Sequence, residues 1–288
     1  MAQAAAEVQT DTIAYPLDPE TLFIPHKTAA ELGAKFAEQY QSGKPFHYIG
    51  IDNFLPEPVV ARVRDEALRI EEKSAQNSSA QEHLKAAYSP DELPVYTKAV
   101  FNALNSRSFI RFLEEMTGIH GLIPDPYYLG GGIHRTSNGG YLGVHADFNH
   151  HKHMNLERRL NVLVYLKPDW KEEYGGSFEI WSEDMQTRVA KYPPVMNRMC
   201  CFTTGSTSMH GNPDPVAHPE GQPRLSIALY YYTATWTDSH VAHSTLFRVR
   251  PGSADSSTRR NDSRRLMRKY LPPVLHPFAE RVMNKLRL

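Results

Sequence analysis

Apolar residues in the first part of the chain recur at helical intervals, and from about residue 122 onward they alternate. Over 28–41 the spacing of Leu32, Phe36 and Tyr40 predicts an amphipathic helix. It follows a Pro-punctuated segment, 1–26, that carries no such stripe and reads as a loosely held arm. A strand-like run over 46–51 ends in a turn at 52–56, after which Val60, Val63, Ala67 and Ile70 share one face of a second helix. Residues 73–92 are Ser/Ala/Gln-rich without an apolar stripe and predict a mobile loop or lid. The clearest helical pattern is Phe109, Phe112, Leu113 and Met116, with Asn105 or Ser106 as cap and Gly118 as stop.

Beyond residue 122 the run 158–166 puts Leu160, Val162, Val164 and Leu166 on one strand face and Arg159, Asn161, Leu163 and Tyr165 on the other. Shorter runs at 177–182, 188–192, 195–203 and 224–235 are separated by Gly, Pro and Asp turns. A helical block followed by many short strands implies a β-sandwich or barrel buttressed by helices. The expected division is an arm and first helix over 1–44, a β-rich domain over 45–240 and an extension over 241–288.

Composition narrows the picture modestly. With 288 residues, 41% of them hydrophobic, one domain with a sizeable core is expected. Basic and acidic residues balance at 32 each, so net charge gives no argument for nucleic acid as a partner. Cys200 and Cys201 are adjacent and sit in an apolar run, which suits packing rather than a disulfide. No run approaches the roughly 18 apolar residues of a membrane span, and the N-terminal segment lacks the features of a targeting signal. A soluble cytoplasmic protein is the expectation. The chain turns strongly basic beyond Thr235, and Pro272-Pro273 rules out one continuous helix there. That tail is either solvated or docks on the barrel, on an acidic partner or in a homodimer.

Candidate chemistry concentrates at Gly139–Asn149. Residues i and i+2 of a strand point the same way, so His145 and Asp147 can reach one metal ion. His210 lies in Met209-His210-Gly211-Asn212, just before a Pro-rich loop, and supplies a third ligand. Two histidines and one carboxylate on one face of an octahedron leave three positions open, the arrangement of non-haem Fe(II) oxygenases. With 14 histidines in the chain, one His-x-Asp pair weighs little alone. Arg224 and Ser226 add weight, because a guanidinium fork and a hydroxyl on one strand face suit a carboxylate.

These residues resemble the 2-oxoglutarate/Fe(II) dioxygenase superfamily, in its prolyl-4-hydroxylase-like branch, over roughly residues 45–235. The likeness rests on Gly139-Gly140 before His145 and Asp147, on Arg159-Leu160-Asn161 through Tyr165-Leu166, and on Trp170 before Gly175-Gly176. It continues through Phe178-Glu179-Ile180-Trp181, His210-Gly211-Asn212-Pro213 and Arg224 to Tyr232. The resemblance implies a mainly β protein with flanking helices (α+β), a double-stranded β-helix or jelly-roll core against N-terminal helices. It implies Fe(II) on His145, Asp147 and His210, with 2-oxoglutarate, O2 and ascorbate as reductant. Arg224, Ser226 and Tyr165 would take the distal carboxylate of the co-substrate, with Asn161 and Arg135 beside them. The implied reaction hydroxylates an unactivated C–H bond and releases succinate and CO2.

Two departures refine this. Arg224 stands where many prolyl hydroxylases place a lysine, which separates the chain from the collagen-type enzymes. The carboxylate of Asp147, absent from related halogenases, favours hydroxylation. Asn149 and Asn212 are candidates for orienting the ligands. His134, Asn149 and Trp181 are candidate substrate contacts, His134 otherwise serving as a strand residue and Trp181 as core. His150, His151 and His153 form either a solvent-exposed loop or a substrate contact. The substrate stays open between a prolyl or other amino-acid-like group and a small anionic natural-product metabolite. Outside this class stand a non-catalytic jelly-roll binding module or iron sensor and a zinc hydrolase, neither of which calls for the Arg224–Ser226 pair.

Overall fold

The computed structural model describes residues 11–12, 14–71, 81–253 and 255. Its helices are α1 (His26–Ser42), α2 (Glu57–Leu68), α3 (Val95–Leu104) and α4 (Arg107–Thr117). Around them run the strands β1 (Asp11–Thr12), β2 (Tyr48–Asp52), β3 (Glu82–Tyr88), β4 (Ile123–Pro124) and β5 (Gly132–Ala146). Next come β6 (His150–His151), β7 (Leu156–Tyr165), β8 (Phe178–Trp181) and β9 (Arg188–Tyr192). The chain continues through β10 (Met199–Thr203), β11 (His210–Asn212), β12 (Arg224–Thr233) and β13 (Leu246–Phe247).

The strands pair in the order β1-β2-β10-β7-β12-β5-β11-β8-β9, almost all antiparallel. Strand β5 makes this a jelly roll rather than a flat sheet. Its first half pairs with β12 and its second half with β11, so one strand serves both layers. The change of layer falls at Gly139-Gly140, where Gly139 has φ of +82°, a conformation that suits glycine. A Cβ on Gly140 would meet the carbonyls of His83 and Ser137 at 2.8 Å. The expected fold class, a β-rich jelly roll buttressed by helices, is the one observed.

Alternation along β7 divides the molecule into two interiors. Leu160, Val162 and Val164 pack, with Leu225, Ile227 and Leu229 of β12, against Phe36 of α1 and Phe109, Phe112 and Met116 of α4. Each such side chain contributes about 1.5–3 kcal/mol by leaving water. The other face of the strands looks into the barrel, where Tyr165, Phe178, Ile180, Cys200 and Phe202 form a second cluster. The anticipated caps of α4 are present: the Ser106 hydroxyl accepts from the Phe109 amide, and Gly118 ends the helix in the left-handed region.

Three expectations need correction. Residues 14–25, before α1, are not loosely held, because Tyr15 is buried and packs on Phe54, Phe109 and Phe112 at centroid distances of 5.0–5.3 Å, while 1–10 and 13 lie outside the described residues. Residues 82–88 are a strand paired with β5 rather than a loop; their polar pattern hid the pairing, and 72–80 lie outside the described residues. Helix α3 has no expected counterpart; burial of Val100, Phe101 and Leu104 holds it in place. Helix α2 also stops at Leu68, short of Ile70. The basic tail beyond 255 lies outside the described residues. No described helix is long and apolar enough to cross a membrane.

Candidate active site

The open end of the barrel holds a cavity of about 220 Å³, with His145, Asp147 and His210 in its wall. The C-terminal half of β5 carries His145 and leads into Asp147, and β11 pairs with it so that His210 lies directly opposite His145. One potential ligand atom from each of the three residues falls within 4.8 Å of the other two. His145 Nε2 is 3.5 Å from Asp147 Oδ1, and His210 Nε2 is 3.3 Å from Asp147 Oδ2.

Backbone carbonyls set the tautomers. Nδ1 of His145 lies 2.8 Å from Gly143 O, and Nδ1 of His210 lies 2.8 Å from Ser208 O. A carbonyl only accepts, so each Nδ1 carries the proton and each Nε2 keeps a free lone pair facing Asp147. Burial lowers the pKa of His210, which favours that neutral form. Burial works against ionisation of Asp147, but the Arg158 guanidinium holds its carboxyl well below the usual range. The result is two neutral imidazoles and one carboxylate converging on a point, the donor set that suits Fe(II).

Deeper in the barrel, Arg224 and Ser226 of β12 face the cavity together. Arg224 Nη2 donates to the Tyr165 hydroxyl at 3.3 Å, and its guanidinium carbon lies 4.9 Å from the centre of that ring. No carboxylate of the described residues ion-pairs with Arg224. Its Nε and the Nδ2 of Asn212, which also lines the cavity, are buried donors without a hydrogen-bond partner. Such donors are costly unless something occupies the cavity. A carboxylate-bearing co-substrate would satisfy them, so the residues fit 2-oxoglutarate as well as iron.

Other anticipated residues fall in different places. Asn161 lines the cavity, but its Nδ2 donates to Asp147 Oδ2 at 2.7 Å. Arg135 is not brought to the cavity: it pairs with Leu225, on the face opposite His134 and Ser226, because strand alternation puts neighbouring residues on opposite sides. His134 does line the cavity, with its Nε2 donating to Gly130 O at 2.8 Å, and burial lowers its pKa to about 3. Trp181 turns outward, half-buried against the cluster of Val144, Ala146, Met185 and Met209, and donates to Glu179. Asn149 points away from the ligands; its amide donates to Val241 O at 3.0 Å and accepts from His243 N at 2.9 Å. His150 stacks on Trp236 at 4.1 Å, and His151 is buried beside Tyr232 and Asp125. Neither faces the cavity.

Two groups of cavity residues were not anticipated. Arg158 is fully buried, with its guanidinium 3.7 Å from the ring centre of Tyr230 and 4.4 Å from that of Phe148. The chain beyond β12 also folds back over the mouth. Its strand β13 pairs with β5 at His145 and Ala146, and Thr245 and Phe247 join the cavity wall. The Phe247 ring lies 5.3 Å from that of His145.

The sequence profile of the 2OG-Fe(II) oxygenase superfamily matches residues 131–232. That stretch contains His145, Asp147, Asn161, Tyr165, His210 and Arg224. A search of curated protein sequences returns no match. Among solved structures, HygX from Streptomyces hygroscopicus, determined with nickel, 2-oxoglutarate and hygromycin B, is similar in fold at a TM-score of 0.50 and 14% identity. The match covers 70% of this chain and 88% of that one. A Pseudomonas putida prolyl-4-hydroxylase gives a TM-score of 0.49 at 15% identity, over 70% of this chain and 99% of that one. A Trichoplax adhaerens prolyl hydroxylase in complex with a hypoxia-inducible-factor peptide gives 0.46 at 18%, over 72% and 91%. Residues 131–232 thus match the 2OG-Fe(II) oxygenase superfamily, and the donor set found there suits Fe(II) and 2-oxoglutarate.

Proposed function

We propose that this dioxygenase hydroxylates an unactivated C–H bond of an amino-acid-like group, with the metal on His145, Asp147 and His210 and 2-oxoglutarate anchored by Arg224. The observation that carries this reading is the pairing of the converging triad with a buried guanidinium that lacks a carboxylate partner among the described residues. The bound metal and co-substrate supply the oxidation: 2-oxoglutarate is converted to succinate and CO2, one oxygen atom of O2 entering succinate and the other the substrate. The protein's own residues supply geometry. His145 and His210 present fixed lone pairs, and Asp147 adds the negative charge that balances part of the metal's. Arg224, Ser226 and the Tyr165 hydroxyl receive the distal carboxylate. Burial pushes the Tyr165 phenol pKa up, so it stays a neutral donor. Phe178, Phe202 and Leu163 line the apolar side, which keeps water from the reacting centre.

A second reading, a small anionic metabolite as substrate, is favoured by Lys85, which lines the cavity with Phe247 beside its ion-pair partner Glu82. The assignment is tested by anaerobic absorbance titration of the Fe(II)-loaded protein with 2-oxoglutarate. The expected result is a weak visible metal-to-ligand band that is lost in His145→Ala. Iron that binds without responding to 2-oxoglutarate would overturn the reading.

A further inference from the structure

Asp147 does not approach the metal position as a free carboxylate. Its Oδ2 receives Asn161 Nδ2 at 2.7 Å and lies 3.3 Å from Arg158 Nη2. These two residues are themselves joined, since Asn161 Oδ1 accepts from Arg158 Nε at 3.1 Å and from Nη2 at 2.8 Å. The Asn161 amide is thereby fixed in orientation: its oxygen faces the guanidinium, and its nitrogen can only face the carboxylate. Phe148 and Tyr230 pack on the guanidinium and keep it from swinging away. Asp147, Asn161 and Arg158 thus form a closed triangle beside the cavity, two of its corners on one strand.

We propose that Arg158 and Asn161 are positioning residues that, through Oδ2, fix the Asp147 carboxylate in the orientation in which it meets a metal together with His145 and His210. This rests on the metal reading above and goes beyond it. A carboxylate free to rotate loses that freedom when a metal binds, which weakens binding. Two donors on Oδ2 remove that cost beforehand. They also fix the plane of the carboxylate, as hydrogen-bonded partners of metal ligands do.

Charge alone predicts the opposite of what the clamp predicts, and that separates them. Removing a cation beside a metal ligand should tighten divalent metal binding if Arg158 acts only through its charge. Loss of the clamp should loosen binding despite that gain. The experiment is Mn(II) binding by calorimetry on the full chain, with the visible spectrum of the Co(II)-loaded protein as a second readout. The variants are Asn161→Ala, Arg158→Gln, Arg158→Lys and His145→Ala. The clamp predicts Mn(II) binding 10–100-fold weaker in Asn161→Ala and Arg158→Gln, with shifted Co(II) bands, and an intermediate effect in Arg158→Lys. Unchanged binding and spectrum in Asn161→Ala, or tighter binding in Arg158→Gln, would overturn it. If Arg158→Gln fails to fold, Asn161→Ala and the charge-conserving Arg158→Lys decide, and wild-type behaviour in both rejects the clamp. Mn(II) binding by His145→Ala at wild-type strength would mean that the triad reading has failed, and the clamp with it.

Discussion

Arg158 Nη2 lies 3.3 Å from Asp147 Oδ2, and both side chains are withdrawn from bulk water. A buried ion pair is a weak source of net stability, but deleting one partner strands the other in a medium that solvates it poorly. Arg158→Met should therefore destabilise the metal-free protein by about 3–5 kcal/mol, read from urea melts in chelator. A loss below about 1 kcal/mol, the range of exposed pairs, would show that water reaches Asp147 freely.

Arg224 gives a second expectation, specific to the co-substrate. Arg224→Gln should weaken 2-oxoglutarate binding to the Mn(II)-loaded protein by about two to three orders of magnitude, the roughly 3–4 kcal/mol of a buried charge-assisted pair. Tyr165→Phe should cost only about 1 kcal/mol, near fivefold. Mn(II) binding itself should be unaffected in both. Wild-type 2-oxoglutarate affinity in Arg224→Gln would place the anchor elsewhere.

Stability should fall on both sides of neutrality for identifiable reasons. Burial holds the His134 pKa near 3, so below its unfolded value of about 6.5 the unfolded chain gains a proton that the folded chain refuses. That contribution to stability is lost as pH falls from about 6.5 toward 3, by up to ~1.4 kcal/mol per unit. On the alkaline side, burial pushes the Cys200 thiol up to about 12. Above roughly pH 8.5 the unfolded thiol ionises and the folded one does not, so stability falls as pH rises. Both limbs can be read from denaturant midpoints against pH, compared with His134→Phe and Cys200→Ala. The same burial predicts that neither cysteine reacts with a thiol reagent at pH 8 until the protein unfolds.

The segment over the cavity mouth is fastened by a single side chain to an unusual degree, since Asn149 bonds Val241 and His243 at once. Asn149→Ala should loosen it locally, and trypsin should cut after Arg248 about tenfold faster by peptide mass analysis. An unchanged cleavage rate would assign the hold to β13 pairing and to the ion pair of Arg250 with Asp214.

The convergence of His145, Asp147, His210 and Arg224 on one cavity is legible in the sequence because it depends on the most regular feature of a strand. Gly143, His145 and Asp147 share a side, as do Arg224 and Ser226, whatever the rest of the barrel does. Arg158 is illegible for the complementary reason. Unbroken alternation from Asn161 puts it with Leu160 and Val162, facing the helices. In the fold, Tyr231 pairs with Leu160 but Tyr232 with Arg158, so Arg159 is an extra residue that inverts the parity of what precedes it. One bulge turns a core position into a cavity position, and two consecutive arginines are its only trace in the sequence. Arg135 fails in the other direction, since a family likeness does not report the local parity that sends it outward. The mouth segment is hidden because its contacts with Asn149 and His145 span about a hundred residues, and Leu246-Phe247 is too short to show a period.

Thr245 and Phe247 touch the same cavity as the triad, yet they lie downstream of the stretch that carries the family's signature. Selection acting on 241–250 therefore remodels the shape offered beside His145 without altering His145, Asp147, His210 or Arg224. In a lineage of such chains the triad can stay constant while the mouth beside it drifts. A library restricted to those ten positions would sample that drift directly.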